Sequence, residues 1–335
     1  MKPARAVRRN IGILTCGASD TLSPAETQFY ERLCRIGKSL DLTVYVFRPA
    51  DIDWKSERVN GLTYTLQGWR KQTFPLPDLI YDRCFCKSLQ QWREYRETVE
   101  NLRQTCRIPF LGRGVPGKWE VYGALRRSPL KPYLPDTAVY RGFPSLMRWL
   151  RLYGEAVLKP QYGTHGRGVV HIASKPDASW EVAGRDRLNR VIRRTFTNLP
   201  ALRQWVCRFI GSRNYLLQQY QSLYSASGEP FDLRVLMQRG ENGRWTLAGE
   251  AVRIGSSGGF TSNLHGGGKA LDAPDFLQRE YPGRANSLLL LVRSLANRIP
   301  TVLETYFGRL AELGIDFGID RKGNVWIIEI NSKPG

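Results

Sequence analysis

The chain has 335 residues, of which 50 are lysine or arginine and 30 are aspartate or glutamate, so its formal charge is +20. With 42% hydrophobic residues it is neither a disordered tail nor a short disulfide-stabilised peptide, and two or three compact units are expected. No stretch reaches the ~18 consecutive apolar residues of a spanning helix, and the basic N-terminus lacks the apolar core of a signal peptide. We therefore expect a cytoplasmic protein without a membrane span.

The basic residues are spread along the chain instead of forming a tail. Positive charge favours polyanionic partners, but this dispersal argues against nucleic acid. The densest cluster, residues 185–194, is interpreted as a solvated basic helical face, with a connecting loop as the alternative. The six cysteines contain no C-x-x-C pair, which argues against zinc, and Cys84 and Cys86 are interpreted as reduced, partly buried thiols.

After a basic tail at residues 1–9, residues 10–112 alternate between strand-like and helix-like segments. Phe29, Leu33, Ile36 and Leu40 recur at helical spacing after Ser23 and Pro24, which predicts a helix there. The predicted elements are strands at 11–15, 42–47, 79–81 and 108–111 and a second helix at 89–102. This alternation predicts a small Rossmann-like α/β domain with an open parallel sheet.

A hinge rich in glycine and proline at residues 112–117 marks the main domain boundary, so the second domain is residues 113–335. It begins with a predicted helix at 118–127 and is expected to be α+β, with a subdomain break near 215–230. Pro300 should separate two helices because proline lacks a backbone N–H. The other predicted elements are strands at 156–158, 169–172, 215–218, 233–238 and 245–254, helices at 285–298 and 301–313, and a hairpin at 314–331.

The terminal hairpin brings acidic side chains together. A turn centred on Lys322 and Gly323 pairs Asp316 with Glu329, and Asn331 shares their face. The same register pairs Gly318 with Ile327 and Asp320 with Val325. The side chains expected to point into the core are those of Ile315, Phe317, Ile319, Trp326, Ile328 and Ile330. Adjacent carboxylates repel, and Mg²⁺ prefers oxygen ligands, so Asp316, Glu329 and Asn331 are candidate metal ligands. An ordinary solvent-facing hairpin is the alternative.

A second candidate site is the glycine-rich segment that follows Lys159. Gly163, Gly166 and Gly168 lie in a loop with strand patterns on both sides, which fits neither a Walker P-loop nor a Rossmann fingerprint. Glycines let backbone N–H groups approach an anion, and Lys159 adds a positive charge. The loop is therefore a candidate phosphate site, with a plain flexible hairpin as the alternative.

Two arginines and a second glycine-rich segment complete the candidates. Arg234 shares a strand face with Asp232, and Arg253 lies near the end of a later strand. A guanidinium group binds carboxylate or phosphate in bidentate geometry, although a surface ion pair is the alternative. Residues 255–268 contain six glycines and are interpreted as a segment that closes over a substrate or as a simple loop.

The order of these motifs resembles the ATP-grasp superfamily from about residue 112 to the end of the chain. The resemblance rests on Lys118 after the hinge, Lys159 before a glycine-rich β-loop-β, Leu-Gln-Gln-Tyr at 217–220, Asp-Leu-Arg at 232–234, Asn263 before three glycines, and Gly-Ile-Asp followed by Glu-Ile-Asn-Ser-Lys-Pro-Gly at the end. Within the superfamily, the chain is most similar to the endospore coat-associated ATP-grasp proteins of spore-forming bacilli.

The resemblance implies an ATP-grasp domain of two subdomains that binds ATP and Mg²⁺, commonly two ions, with Mn²⁺ as an alternative. It implies that Lys118 and Lys159 contact phosphates under the loop of Gly163, Gly166 and Gly168. The backbone of Gln218, Gln219 and Tyr220 would meet the adenine. The remaining implied roles are Mg²⁺ ligation by Asp316, Glu329 and Asn331, and contact with the transferred phosphate or the acceptor by Arg234, Arg253 and Asn263.

The chemistry that the resemblance implies is a ligation. ATP phosphorylates a carboxylate of a small molecule or peptide, and an amine then displaces the phosphate, with the N-terminal domain helping to bind the acceptor. The alternative is a non-catalytic, nucleotide-binding structural protein of the endospore coat with coat components as partners. Two departures stand out: Gln219 or Gln221 replaces the usual acidic ribose ligand, and the chain stops at Gly335 where relatives continue, for which a truncated chain is one explanation.

Overall fold

The computed structural model describes residues 9–16, 24–86, 88–112, 114–163, 166–255 and 268–333. The chain divides into two compact units between Gly114 and Val115. No helix within the described ranges is long and apolar enough to cross a membrane.

The first unit is a mixed sheet with two helices. Its elements are β1 (Arg9–Leu14), α1 (Pro24–Ser39), β2 (Leu42–Phe47), β3 (Ile52–Asp53), β4 (Arg58–Thr65), β5 (Gly68–Pro75), β6 (Leu79–Asp82), α2 (Leu89–Gln104) and β7 (Phe110–Leu111). The strand order is β3-β4-β2-β1-β6-β7, and β5 pairs with β4. Strand β1 runs parallel to both β2 and β6, and β6 runs parallel to β7. The expected α/β class is confirmed.

Two features of this unit differ from expectation. Strands β4 and β5 form an antiparallel hairpin that was not predicted, because polar residues on both faces leave little periodicity. Phe29 and Ile36 of α1, and Leu40 just after it, are exposed by 39%, 44% and 63%, whereas Tyr30 and Cys34 are buried. The helical spacing was therefore right, but the buried face is set by contact with β2, which the helix pattern alone does not encode.

Cys16 and Cys84 form a disulfide, so the interpretation of Cys84 as a reduced thiol is wrong. The physical reason is topological. Adjacent parallel strands β1 and β6 end at the same edge of the sheet, and the two Cα atoms lie 4.9 Å apart, within the range that a disulfide bridges. Cys86 lies outside this bond.

The second unit contains two antiparallel sheets. Its elements are α3 (Lys118–Leu125), β8 (Thr137–Val139), α4 (Phe143–Tyr153), β9 (Glu155–Pro160), β10 (Val170–Ser174), β11 (Trp180–Arg185), β12 (Val191–Phe196), α5 (Leu199–Ile210), β13 (Tyr215–Gln218), β14 (Phe231–Arg239), β15 (Trp245–Ile254), β16 (Lys269–Leu271), α6 (Ala273–Glu280), α7 (Ala285–Phe307), β17 (Glu312–Ile319) and β18 (Val325–Asn331). One sheet has the order β12-β11-β10-β9-β13-β8, and the other has the order β16-β15-β14-β17-β18.

Each sheet of this unit has its own core. Helices α4 and α5 cover the first sheet, where Leu158, Ile172 and Val206 are fully buried. Helices α3, α6 and α7 cover the second sheet, where Leu233 and Ile315 are fully buried. Each sheet thus buries one apolar face against helices, which is the α+β arrangement expected for this half.

The predicted break at Pro300 is wrong, because α7 continues from Ala285 to Phe307 with Pro300 inside it. Proline removes one helical hydrogen bond. Pro300 is nevertheless buried together with Ile299 and Leu303, and this packing holds the helix across the defect. Residues 312 and 313, expected at the end of a second helix, begin β17 instead.

The basic cluster at residues 185–194 is neither a helical face nor simply a loop. Arg185 ends β11, and residues 191–194 begin β12, which pairs antiparallel with it. Asp186 fixes the connection, since its carboxylate accepts hydrogen bonds from the backbone N–H groups of Leu188 and Arg190. Arg193 and Arg194 thus lie on β12, which ends the strand order of this sheet, and such charges oppose further strand pairing.

Candidate functional site

The expected carboxylate pair is present on the terminal hairpin. Asp316 in β17 lies directly opposite Glu329 in β18, and Asn331 lies two residues further along, opposite Gly314. Asp316 is only 8% exposed, so the alternative of an ordinary solvent-facing hairpin does not hold for it. The two carboxylates therefore lie on opposed positions, with Asp316 buried and the side chain of Glu329 27% exposed, and they repel each other.

A β-bulge in the hairpin makes the observed register differ from the predicted one on the turn side of Asp316. Phe317 pairs with Ile327 while Asp316 pairs with Glu329, so Ile328 is an extra residue in β18. Gly318 consequently pairs with Trp326 instead of Ile327, and Ile319 takes the pairing with Val325 that was expected of Asp320.

The bulge also changes which side chains enter the core. Val325 and Ile327 are buried there with Ile330, whereas Trp326 and Ile328, expected inside, are only partly buried. Because the bulge lies next to Glu329, the strand can bury Ile327 and Ile330 on one face and still place Glu329 opposite Asp316.

Two lysines converge on these carboxylates. The Nζ atom of Lys118, the first residue of α3, lies 3.4 Å from Oε1 of Glu329 and donates a 2.6 Å hydrogen bond to the carbonyl oxygen of Gly163. Lys159 in β9 is 9% exposed, and its Nζ donates to Oε1 of Gln218 at 2.9 Å. Lys118 therefore connects α3, the glycine-rich loop and the metal-ligand candidate Glu329.

Burial and neighbouring charges shift the pKa values in this cluster. Burial lowers the pKa of Lys159 to about 8, with Glu329 opposing the shift and Lys118 adding to it. Burial alone would raise the pKa of Glu329, but the positive charges of Lys118 and Lys159 hold it below its usual value. Glu329 is thus held as a carboxylate by the same lysines that could hold an anion.

Both candidate arginines meet at Asp316. Arg234, opposite Asp316 in the neighbouring strand, donates to its Oδ1, and Nη2 of Arg253 lies 3.0 Å from the same oxygen. Arg253 also donates two hydrogen bonds, of 2.7 and 2.8 Å, to Asp232. Both arginines therefore form ion pairs, as the alternative interpretation expected. These pairs lie within the cluster around Asp316 and not on a separate surface.

The charge on Asp316 is only partly compensated by these arginines. Burial raises its pKa to about 6, helped by the negative charges of Asp232 and Glu329 and opposed by Arg234 and Arg253. A buried carboxylate with a raised pKa next to a second carboxylate is a position that a cation would stabilise. The two carboxylates and one amide of Asp316, Glu329 and Asn331 form an oxygen donor set of the kind that suits Mg²⁺.

The glycine-rich loop connects two strands as expected, and these strands, β9 and β10, pair antiparallel. Gly163, Gly166 and Gly168 all have positive φ angles, of 146°, 67° and 72°. A Cβ atom on Gly168 would lie 2.9 Å from the hydroxyl of Tyr215, so a side chain has no room there. The loop thus requires glycine for its backbone conformation, and it starts beside Lys159 and Lys118.

The segment expected to meet adenine begins at the end of β13. The amide of Gln218 accepts from Lys159 and donates to Oγ1 of Thr137 at 3.0 Å, so it holds Lys159 in place. The N–H of Gln219 donates to the carbonyl of Asp136 at 2.8 Å. The ring of Tyr220 stacks on His171, with 4.0 Å between ring centroids. Asn263 lies outside the described residues.

Some contributors to the site were not among the predicted site residues. Asp232 binds Arg253, and the alternating Asp232-Leu-Arg234 pattern was its signal in the sequence. Gly314 is the second, since a Cβ atom there would lie 2.5 to 2.8 Å from the guanidinium group of Arg234. This glycine therefore leaves the space in which Arg234 lies against β17. Thr137, which orients Gln218, carried no signal in the sequence.

Two comparisons relate the sequence of this chain to known proteins. A family described as YheC/D like ATP-grasp matches residues 107–335. Over 329 residues, the chain is 30% identical to the endospore coat-associated protein YheC of Bacillus subtilis strain 168, a match that covers 96% of this chain and 89% of YheC.

Solved structures share the fold at low sequence identity. D-alanyl-alanine synthetase A from Vibrio cholerae superimposes with a TM-score of 0.53 and 15% identity, covering 98% of this chain and 89% of that protein. N5-carboxyaminoimidazole synthetase from Staphylococcus aureus, solved with ADP, superimposes with a TM-score of 0.55 and 12% identity, covering 98% of this chain and 71% of that protein.

Proposed function

Because the chain belongs to the YheC/D like ATP-grasp family, we propose that it is an ATP- and Mg²⁺-dependent ligase. It would activate a carboxylate as an acyl phosphate, which an amine then attacks. The observation that carries this proposal is the opposed pair of Asp316 and Glu329 with Lys118 on Glu329 and the guanidinium of Arg234 on Asp316. Phosphoryl transfer depends chiefly on positioning and charge neutralisation, and this cluster offers both.

The donor set fits magnesium. Asp316, Glu329 and Asn331 would hold the ion, since their oxygens are the hard ligands that it prefers and the raised pKa of Asp316 marks uncompensated negative charge. Mn²⁺ has similar preferences for oxygen ligands. When bound, the ion neutralises phosphate oxygens and orients them for transfer.

The lysines and the loop would hold the phosphates. Below pH 8 the ammonium group of Lys159 carries a charge, and its bond to Gln218 fixes its direction. Lys118 lies beside both Glu329 and Gly163, so its ammonium group can contact a phosphate at the loop without a movement of α3. In this proposal the glycines at 163, 166 and 168 let the loop backbone approach the phosphates closely.

The arginines would act on the transferred phosphate or on the acceptor carboxylate. Arg234 and Arg253 already contact Asp316, so their charges lie next to the proposed metal ligands. A guanidinium group can bind either a phosphate or a carboxylate in bidentate geometry. We assign the same role to Asn263 on the family resemblance alone, and we assign the adenine to the backbone of Gln218, Gln219 and Tyr220.

Removal of one proposed ligand tests the assignment. In Glu329→Gln the shape of the side chain is kept and its charge is lost, so we expect Mg·ATP affinity to fall by about 30-fold or more, the cost of breaking a buried charge contact. Calorimetric titration measures the change. The matched control is Glu250→Gln. Glu250 lies in β15 of the same sheet, and its carboxylate is paired with Arg293. Equal affinity of Glu329→Gln and the control would show that Glu329 holds no metal.

A non-catalytic, nucleotide-binding protein of the spore coat is the second candidate. The observation that favours it is the 30% identity to a protein named for its association with the endospore coat. ADP release in the presence of amino acids and peptides separates the two functions. Release stimulated by one class of acceptor supports the ligase, whereas Mg·ATP binding without release above background supports the coat protein.

A further inference from the structure

Three cysteine sulfurs lie together at one edge of the first unit. Cys16 follows β1, and Cys84 and Cys86 follow β6. Their sulfur atoms all lie within 4.8 Å of one another, and within the described ranges this is the one group of three or more His, Cys, Asp or Glu ligands with that property. The cluster lies entirely in the first unit and shares no residue with the proposed ATP site.

A disulfide alone does not account for the third sulfur. The bond between Cys16 and Cys84 uses two cysteines, yet Sγ of Cys86 lies 3.2 Å from Sγ of Cys16. In a tetrahedral zinc site with Zn–S bonds of about 2.3 Å, the sulfurs lie about 3.8 Å apart. The observed spacing therefore needs only small movements to surround such an ion once the disulfide is reduced.

The position in the fold is one where ligands bind. The chain leaves β1 for β2 on one side, whereas β6 pairs with β1 on the other side. The crevice outside the carboxyl ends of parallel strands at such a switch point is the usual ligand site of open α/β sheets. Cys16, Cys84 and Cys86 all lie just beyond these ends.

Neighbouring side chains hold the cysteine segment in place. The carboxylate of Asp82, which is 1% exposed, accepts hydrogen bonds from the N–H of Cys84 at 3.0 Å and from the hydroxyl of Tyr95 at 2.6 Å. The guanidinium group of Arg83 lies 5.4 Å from the ring of Phe85 and contacts two further aromatic rings. Such support around the ligands is typical of metal sites, and it fixes the direction of the Cys84 backbone.

We propose that the reduced chain binds Zn²⁺ through the thiolates of Cys16, Cys84 and Cys86, and that the disulfide is the oxidised, metal-free form of the same site. Thiolates are soft ligands that favour zinc over the hard cations of the oxygen site. The absence of a C-x-x-C pair argued against zinc, but such a pattern concerns only neighbours in the sequence and not Cys16, which the sheet brings close to Cys84 and Cys86. This proposal goes beyond the ligase function and depends on none of its residues.

The two steps balance in atoms and electrons. A dithiol reductant of the thioredoxin class gives two electrons and two protons to the bond between Cys16 and Cys84, forms two thiols and becomes a disulfide itself. Zn²⁺ then displaces one proton from each of three thiols into solvent and forms three Zn–S bonds, with water in the fourth position.

The test uses the full-length chain, reduced with a phosphine and freed of metal, titrated with Zn²⁺ against a chromophoric chelator. We expect one ion per chain, and in Cys86→Ser an affinity lower by at least about 100-fold, since loss of supporting groups alone costs 10- to 100-fold. Cys106→Ser is the matched control, because Cys106 is also partly exposed and lies in the same unit outside the cluster. Cobalt substitution should give thiolate-to-metal absorption in the wild type and in Cys106→Ser.

Cys86 lies outside the disulfide, so circular dichroism of the oxidised Cys86→Ser chain shows directly whether the variant folds. The proposal is overturned if the reduced wild type binds no more zinc than a variant with serine at all three positions. It is also overturned if the folded Cys86→Ser variant binds zinc as tightly as the wild type, or if the oxidised chain binds as tightly as the reduced one.

Discussion

At the scale of single residues, Lys159 shows how the surroundings set a side chain's chemistry. It is almost fully buried, its ammonium group donates a hydrogen bond to the amide of Gln218, and Glu329 supplies a compensating negative charge. Burial favours the neutral amine, so the pKa falls to about 8. The protonation state of this lysine therefore changes just above physiological pH.

The pH dependence of nucleotide binding follows from this pKa. Because the neutral amine cannot pair with a phosphate, the affinity for Mg·ATP should fall as pH rises through about 8, approaching tenfold per pH unit. The affinity should be highest between this pH and about 6, the pKa of Asp316, below which that proposed metal ligand is protonated. Titration calorimetry at a series of pH values measures the dependence. In Lys159→Arg the side chain stays protonated, so this alkaline loss should disappear; its persistence in that variant would assign the titration to another group.

At the scale of elements, the strands differ in how well their bounds and pairing can be predicted from the sequence. Strand β2 was predicted with its bounds because Leu42–Phe47 is a short, mainly apolar run rich in β-branched and aromatic residues. The bulge in β18 was not, because Trp326, Ile327 and Ile328 are all apolar and either face could enter the core. The pairing of Asp316 with Glu329 was still predicted correctly, since the error in the turn and the extra residue at the bulge cancel at that position.

The β10–β11 hairpin, which follows the glycine-rich loop, depends on Gly184. Its φ angle is +155°, and a Cβ atom would lie 2.2 Å from the carbonyl oxygen of Val169 and 2.7 Å from Cα of Val170. Backbone atoms cannot move aside as a side chain can, so Gly184→Ala should lower the free energy of unfolding by about 2–4 kcal/mol.

Chemical denaturation measures this loss. The control is Gly249→Ala in β15, where the new methyl group meets no atom within 4 Å and the change should be within about 0.5 kcal/mol. Similar stabilities of the two variants would mean that β10 and β11 separate more easily than the described pairing implies.

At the scale of the whole molecule, each unit has its own core, and the proposed ATP site lies within the second unit alone. The buried clusters around Phe47 and Ile13 belong to the first unit, and those around Leu158 and Ile315 belong to the second. A unit with its own core can in principle fold without its neighbour.

This organisation predicts that residues 115–335 fold when produced alone. We expect the fragment to unfold cooperatively on heating and to bind Mg·ATP within about fivefold of the full chain, a difference of about 1 kcal/mol. Calorimetry of both chains tests the prediction. A fragment that stays unfolded would show that the second unit needs the first in order to fold. A fragment that folds and binds no nucleotide would show that the first unit contributes to the site.

The sequence predicted which residues come together at the proposed site better than it predicted their supporting contacts. Spacing and family resemblance selected Asp316, Glu329, Lys118 and Lys159, since both criteria depend only on the type and order of residues. The amide of Gln218 on Lys159 and the space that Gly314 leaves for Arg234 depend on contacts between strands far apart in the chain. Pro300 shows the converse, since a strong local signal gave way to burial of its neighbours.

The ion pairs of the second unit imply that its two proposed ligands bind cooperatively. Before binding, Lys118 is held by Glu329, and Arg234 and Arg253 are held by Asp316. A divalent cation arriving at the carboxylates would take over as their counter-charge, and the ammonium and guanidinium groups would then be released to phosphate oxygens. Magnesium and nucleotide should consequently strengthen each other by one common factor, whichever is added first.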